Sequence, residues 1–411
     1  MSEKAGLSLK RPCRAVPEAL TRDVPGEEMR VSPGIEQLLD GEVSSQVKGT
    51  AIGLLASAAS VTPDLRHDLD ALLAAGFKVV SVFGPEHGFR STAQAAESES
   101  STIDANTGVP VVDTYRRDPA EIADRVRAAG VELLLVDLQD VGARFYTYVW
   151  SMYDMLVAAG LAGVPVLVLD RPNPVGGDIV AGPMLAAEFA SFVGRAPVPL
   201  RHGMTIGELA RLFADLIGGV RVDVVPMRGW RREMRFGDTG LVWVPPSPNI
   251  PTALTAACYP GTGLIEGTNL SEGRGTTTPF EVLGAPWLDA RLARSIAALE
   301  LPGAAVRQTS FVPAFSKHAG TPVHGLHLHV TDPRRFDPVH TAVAILATLR
   351  CCWPDDFAWR TPFCDKLAGS AALRESIDAC GDAADITASW EGPLNAFRAL
   401  RERFLLYGSG R

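Results

Sequence analysis

No stretch of this 411-residue chain stays apolar for the roughly 18 residues that a membrane-crossing helix needs. A basic footprint is missing too. The formal net charge is −8 and the isoelectric point about 5.6, which argues against a partner held through nucleic-acid phosphates. The six cysteines (Cys13, Cys258, Cys351, Cys352, Cys364, Cys380) form no CxxC pair, so buried reduced thiols account for them better than zinc or disulfides. Neither GxGxxG nor GxxxxGK[ST] occurs, so a nucleotide cofactor has no motif behind it. GxSxG and HExxH are also absent, which disfavours an α/β-hydrolase esterase and a zinc protease. No cofactor and no metal are expected. The first 30 residues scatter Lys4, Lys10, Arg11, Arg14, Arg22 and Arg30 among acids and lack the apolar run of a secretory signal. The expectation is a poorly ordered leader and a cytoplasmic protein.

What the chain does have is alternation. Strand signals at 50–56, 78–83, 131–136, 164–169 and 220–225 alternate with helical spacing at 64–75, 120–129, 148–159 and 206–217, and 109–112 is short and extended. This βαβα rhythm predicts a mainly parallel sheet with helices on both faces. It breaks at 244–251, where four prolines in eight residues suit an extended connector and exclude a central strand. Beyond it, helical spacing at 288–299, 339–351 and 394–405 mixes with strand signals at 306–315 and 325–330, as in a smaller α+β domain.

Three predicted strands run into polar loops. Phe83-Gly84-Pro85-Glu86-His87-Gly88-Phe89-Arg90 presents a carboxylate, an imidazole and a guanidinium beside residues that stop regular structure. The loop 137–146 carries Asp137, Asp140, Arg144 and Tyr146, and the loop 170–174 carries Asp170, Arg171 and Asn173. In open α/β sheets, ligands bind at the carboxyl ends of the strands, so these loops share one candidate rim. Asp137 and Asp170 could equally be turn formers or helix caps. A fourth cluster, 266–276, holds Glu266, Asn269, Glu272 and Arg274 among glycines that let backbone approach a ligand. A surface turn with solvated charges is its plainer reading. His202 precedes a helix at which Thr205 and Glu208 have capping-box spacing. His327 and His329 share one face of a strand and His324 points elsewhere, so a half-exposed strand explains them better than a metal.

Carboxylates among Arg, Asn, Tyr and Trp suit a hydroxyl-rich ligand, and glycoside hydrolysis uses two carboxyl groups, one protonated and one ionised. Glu86 is one candidate, and Glu266 and Glu272 are candidates for the other.

The chain also resembles the bacterial exo-β-N-acetylmuramidase family of glycoside hydrolases. The resemblance rests on the Phe83–Arg90 motif, 140–148, 169–174, 201–205 and 266–276, with 245–249 and 329–332 also fitting. It runs in order from about residue 34 to about residue 408. It departs after Arg90, where Ser91-Thr92-Ala93-Gln94-Ala95-Ala96-Glu97 replaces a more Gly- and Asp-rich stretch.

The resemblance implies an α/β fold: a Rossmann-like, mostly parallel sheet domain, here 31–250, joined to a smaller α+β auxiliary domain, here 251–411, with the active cleft between them. It implies release of N-acetylmuramic acid from the non-reducing end of peptidoglycan fragments, a muramic acid-containing disaccharide or muropeptide being the small carbohydrate substrate. It implies Glu86 as a catalytic residue and leaves the second to the candidates of the polar cluster, Glu272 and Glu266. His87, Arg90, Asp140, Arg144, Tyr146, Asp170, Arg171, Asn173, His202, Asn269 and Arg274 are the expected substrate contacts. Two other readings stay open: a sugar-binding or regulatory module without hydrolysis, and a metal-dependent hydrolase or esterase using His87 and Asp140.

Overall fold

The computed structural model describes residues 30–41, 43–90, 94 and 100–408. All but the last residue of the expected leader, and most of the 91–97 stretch, lie outside the described residues.

A seven-stranded sheet organises the first part of the chain. Its strands are β1 (Ala51–Ala56), β2 (Lys78–Gly84), β3 (Thr102–Ile103), β4 (Pro110–Asp113), β5 (Leu133–Asp137), β6 (Val166–Leu169) and, after a small hairpin, β9 (Val222–Val225). The order is β3-β4-β2-β1-β5-β6-β9, and every pairing is parallel except β3 with β4. The chain builds outward from β1 through β2 to β4, returns to the other side of β1 at β5, and builds outward again.

Strand alternation sends successive side chains to opposite faces, and both faces are covered. Leu55, Phe83, Leu134, Val136 and Val168 pack with helices Pro119–Ala128, Tyr148–Ala162 and Ile206–Ile217. Ile52, Leu54, Val82, Leu135 and Leu167 pack with helices Gly34–Asp40 and Asp68–Ala74. That double coverage explains why the central strands are apolar without interruption: all six residues of β1 are buried. The helix starts follow local chemistry. Asp118 caps Ala120 N–H with Pro119 at the first turn, and Thr205 and Glu208 form the reciprocal capping box that their spacing predicts.

Element ends differ where turns intrude. The helix expected from residue 64 begins at Asp68, because 62–66 is a hydrogen-bonded turn in which Leu65 has φ 67° and lies 52% exposed. The strand expected to reach 315 ends earlier, before Pro313, which has no N–H for a ladder.

The hairpin of β7 (Ala181–Met184) and β8 (Pro199–Arg201) lies between β6 and the helix Ile206–Ile217. After the proline-rich connector, β10 (Val282–Ala285), β11 (Ala304–Phe311) and β12 (Val323–Val330) make an antiparallel sheet in the order β10-β12-β11. One apolar cluster runs from the sheet face covered by Pro119–Ala128, Tyr148–Ala162 and Ile206–Ile217 through Tyr259, Leu270 and Phe280 to Leu326 and Val339, so the two parts share packed surface. Among the described residues, no helix is long and apolar enough to cross a membrane.

Candidate active site

β2 ends at Gly84, and the chain turns tightly, with Gly88 N–H donating to the Pro85 carbonyl at 3.0 Å. An added Cβ at Gly84 would meet the Phe89 nitrogen at 3.0 Å, a tight contact that a glycine relieves where the loop returns. His87 adopts the left-handed conformation, φ 69°, which costs a non-glycine residue about 1–3 kcal/mol unless its surroundings enforce it. Burial of His87 and an edge-on contact with the Tyr148 ring, centroids 6.4 Å apart, supply that enforcement. The turn delivers Glu86 and His87 to one wall of a pocket of about 660 Å³, its open mouth included.

The pocket's other acidic group is Glu266, on a 3-10 turn, Gly263–Gly267, that follows the helix Ala253–Thr262. Gly263 lets this turn approach closely: a Cβ there would stand 2.5 Å from the Phe145 ring. Glu86 accepts a short hydrogen bond from the Thr147 hydroxyl. Glu266 accepts one from Arg274 Nη2 at 3.1 Å, and Arg274 Nε lies 3.4 Å from Glu272. Lys317 completes the group, 2.8 Å from Glu272 and donating to the carbonyls of Ile265 and Thr268. Burial pushes the Glu266 carboxyl above its ordinary value, and the Arg274 guanidinium opposes that push. Burial alone would lower Arg274, yet Glu266 and Glu272 more than reverse it.

Aromatic side chains share the pocket's lining with these carboxylates: Tyr115, Phe145, Tyr146, Phe192, Tyr259 and Phe280. The phenols of Tyr115, Tyr146 and Tyr259 are all held above their ordinary values, by burial first and by nearby charges second. They stay neutral donors. The Tyr146 hydroxyl is buried without a hydrogen-bond partner among the described residues. The proline-rich connector adds Ser247, Asn249 and Ile250, held in place where Tyr148 donates to the Pro246 carbonyl at 2.6 Å.

The family model "Exo-beta-N-acetylmuramidase NamZ, N-terminal" matches residues 52–254, and its C-terminal counterpart matches 257–407. The chain belongs to the exo-β-N-acetylmuramidase family. A family relative from Bacillus subtilis (strain 168), "Peptidoglycan beta-N-acetylmuramidase NamZ", is 44% identical over 382 residues, 92% of each protein. Two crystal structures of DUF1343 family proteins from Bacteroides fragilis superpose with TM-scores of 0.85 and 0.75, each at 29% identity, covering 92% of this chain and 99% of theirs.

In this exo-β-N-acetylmuramidase family member the pocket gathers Glu86, His87, Tyr146, Glu266 and Arg274 from three segments far apart in sequence. The other predicted site residues are not in its lining. Glu272 stands behind Arg274, 2% exposed and paired with Lys317. Arg144 is fully buried and donates to the carbonyls of Pro183, Val198 and Leu367, a tie between the β7–β8 hairpin and the C-terminal helices. Burial brings its pKa down to about 9. Arg171 bridges Asp137 and Asp68. Asp170 accepts from Thr205 Oγ1, Gly207 N–H and Tyr407 Oη, and Asn173 donates to the Met204 carbonyl.

His202 Nδ1 accepts from Met204 N–H, which leaves Nε2 to face Asp140 Oδ2 at 3.2 Å. Asp140 also accepts from Gly142 N–H at 2.8 Å. Arg90 pairs with Asp104 at 2.9 Å and lies over the Phe89 ring, and Asn269 bonds the backbone of Asp356 and Ala358. Each of these groups is turned to protein partners, several of them from distant segments that local sequence does not reveal. Tyr115, Phe192 and Tyr259 were missed for the converse reason. Aromatic residues in ordinary apolar or loop contexts look like core.

Proposed function

We propose that this protein is an exo-acting β-N-acetylmuramidase, a glycosidase that releases N-acetylmuramic acid from the non-reducing end of peptidoglycan-derived fragments, and that Glu86 and Glu266 are its two carboxyl groups. The observation that carries the reading is their presence in one aromatic-walled pocket despite their distance in sequence. Glu86 donates its proton to the leaving oxygen as the C1–O bond breaks; over the full reaction the hydroxyl of a water ends on C1 and the water's other proton restores the acid. Glu266 works ionised above its raised pKa, where Arg274 opposes only part of the burial that favours the neutral form. The Tyr146 hydroxyl, a neutral donor in the lining, is available to a sugar hydroxyl or acetamide oxygen. Aromatic faces and a few convergent polar groups are the usual make-up of a small-ligand site.

The larger part, 31–250, fits a Rossmann-like domain: its six parallel strands, numbered in chain order, run 3-2-1-4-5-6. The remainder, 251–411, is then the auxiliary domain that completes the cleft by supplying Glu266 and Arg274. The reading extends to recycling of imported wall fragments in the cytoplasm, which fractionation of the producing cells would test.

A chromogenic aryl β-N-acetylmuramide tests the activity. Turnover that persists in a chelator is expected. Binding without turnover would favour a sugar-binding module, and turnover abolished by chelator would favour a metal-dependent hydrolase.

A pH profile tests the pairing of Glu266 with Arg274. The Arg274→Met variant loses the charge that lowers Glu266, so the Glu266 pKa should rise further. Activity that requires ionised Glu266 is lost as pH falls through that pKa. The acidic limb of kcat/KM should therefore move to higher pH in the variant, and an unmoved limb would remove Glu266 from the ionised role.

A further inference from the structure

The pocket's own cation is already committed. Arg274 lies against two carboxylates, Glu266 and Glu272, and Lys317 is paired with Glu272. The nearby surface cations are likewise taken: Arg117 pairs with Asp113, and Arg195 with Asp154. An anionic sugar entering a pocket that contains Glu86 and Glu266 would therefore meet no uncompensated positive charge in the lining.

Two exposed arginines at the pocket wall break this pattern. Arg116 lies over the ring of Phe192, its guanidinium carbon 4.6 Å from the centroid, and follows Tyr115 in sequence. Arg360 lies over the ring of Phe363 at 5.6 Å, and its only side-chain hydrogen bond among the described residues is a long one, 3.4 Å, to the Glu266 carbonyl. Phe192 and Phe363 both line the pocket. Neither arginine has an ion-pair partner among the described residues, unlike Arg117 and Arg195. Arg116 also holds a left-handed backbone, φ 55°, so its local chain conformation is set by the fold and not by its own preference. A guanidinium stacked on an aromatic face is pre-oriented, keeps its outer N–H groups available and loses little freedom on binding a carboxylate.

We infer that Arg116 and Arg360 form a carboxylate-recognising rim, which selects sugars carrying an acidic ether substituent over otherwise identical neutral N-acetylhexosamines. The inference rests on the proposed activity for its substrate, since N-acetylmuramic acid differs from N-acetylglucosamine by the lactyl ether. It assigns to these two residues a specificity that Glu86 and Glu266 do not provide. The rim sets affinity, and the carboxylates in the pocket perform the bond cleavage.

The test compares binding of N-acetylmuramic acid and N-acetylglucosamine to the full-length protein and to its Arg116→Gln/Arg360→Gln variant, by titration calorimetry at low and high salt. Glutamine keeps polarity and the first two methylenes at two exposed positions and removes the guanidinium with its charge and donor fork. Binding of N-acetylmuramic acid should weaken at least about tenfold in the variant and lose most of its salt dependence, with N-acetylglucosamine unchanged. Equal affinity of variant and parent for N-acetylmuramic acid would overturn the inference. So would an equal weakening for both sugars. Turnover of an aryl muramide by the parent is read separately: its absence would count against the hydrolytic activity, while the binding comparison alone decides the role of the arginines.

Discussion

Glu86→Gln should lower turnover of a muramide with a poor sugar leaving group by about 10²–10⁴-fold, the usual contribution of a positioned general acid. The amide keeps the shape of the side chain and can still engage the Thr147 hydroxyl, so binding of N-acetylmuramic acid should change little. An activated aryl leaving group departs with less help from a proton, and the loss on that substrate should be smaller. The comparison separates roles. Equal losses on both substrates would make Glu86 the nucleophile or the base that activates water. Near-normal turnover on both would remove Glu86 from the chemistry and leave Glu266 as the pocket's other acidic group.

Arg171→Met should cost about 3–5 kcal/mol of folding stability, because it leaves two buried carboxylates without their cation. Arg171 donates to both oxygens of Asp137 and to Asp68 at 3.4 Å, and Asp68 and Asp137 are 0% exposed. Burial, and then the Asp137 charge, already hold the Asp68 carboxyl well above its ordinary 3.8. The sign of the pH dependence follows. A carboxyl with a raised folded-state pKa contributes fully below the unfolded value and loses that contribution as pH rises. Removing Arg171 raises it further, so the variant's deficit should grow above pH 3.8 and shrink as pH falls towards it. Urea unfolding at several pH values measures this. A variant as stable as the parent, but with weakened sugar binding, would instead return Arg171 to the substrate contacts that sequence alone suggested.

The strand-and-loop plan was legible because its signals are local. Apolar runs mark β1, β2, β5 and β6, and Gly84, Pro85 and Gly88 mark the turn that carries Glu86. The capping box at Thr205 was legible for the same reason, since four consecutive residues contain all of it. Arg144 and Arg171 show the limit. An arginine beside a strand end looks like a ligand group, yet Arg144 spends its donors on carbonyls up to 223 residues away, and Arg171 on carboxylates at a helix start and at another strand's end. Tyr259 and Phe192 show the converse. Each looks like an ordinary apolar position until the fold brings it against Glu266 or the pocket wall. Glu266 could be named as a candidate from the polar cluster around it. Its pairing with Glu86 across one pocket comes only from the packing of the second part of the chain against the first.

The most direct test of the account is a crystal structure of the Glu86→Gln variant with a disaccharide carrying N-acetylmuramic acid at its non-reducing end. The account places the glycosidic oxygen within hydrogen-bond reach of the residue 86 side chain, the anomeric carbon between it and Glu266, and the sugar ring among Tyr146, Tyr259 and Phe280. A sugar bound elsewhere on the protein, or in this pocket with its glycosidic bond out of reach of both carboxyl groups, would contradict it.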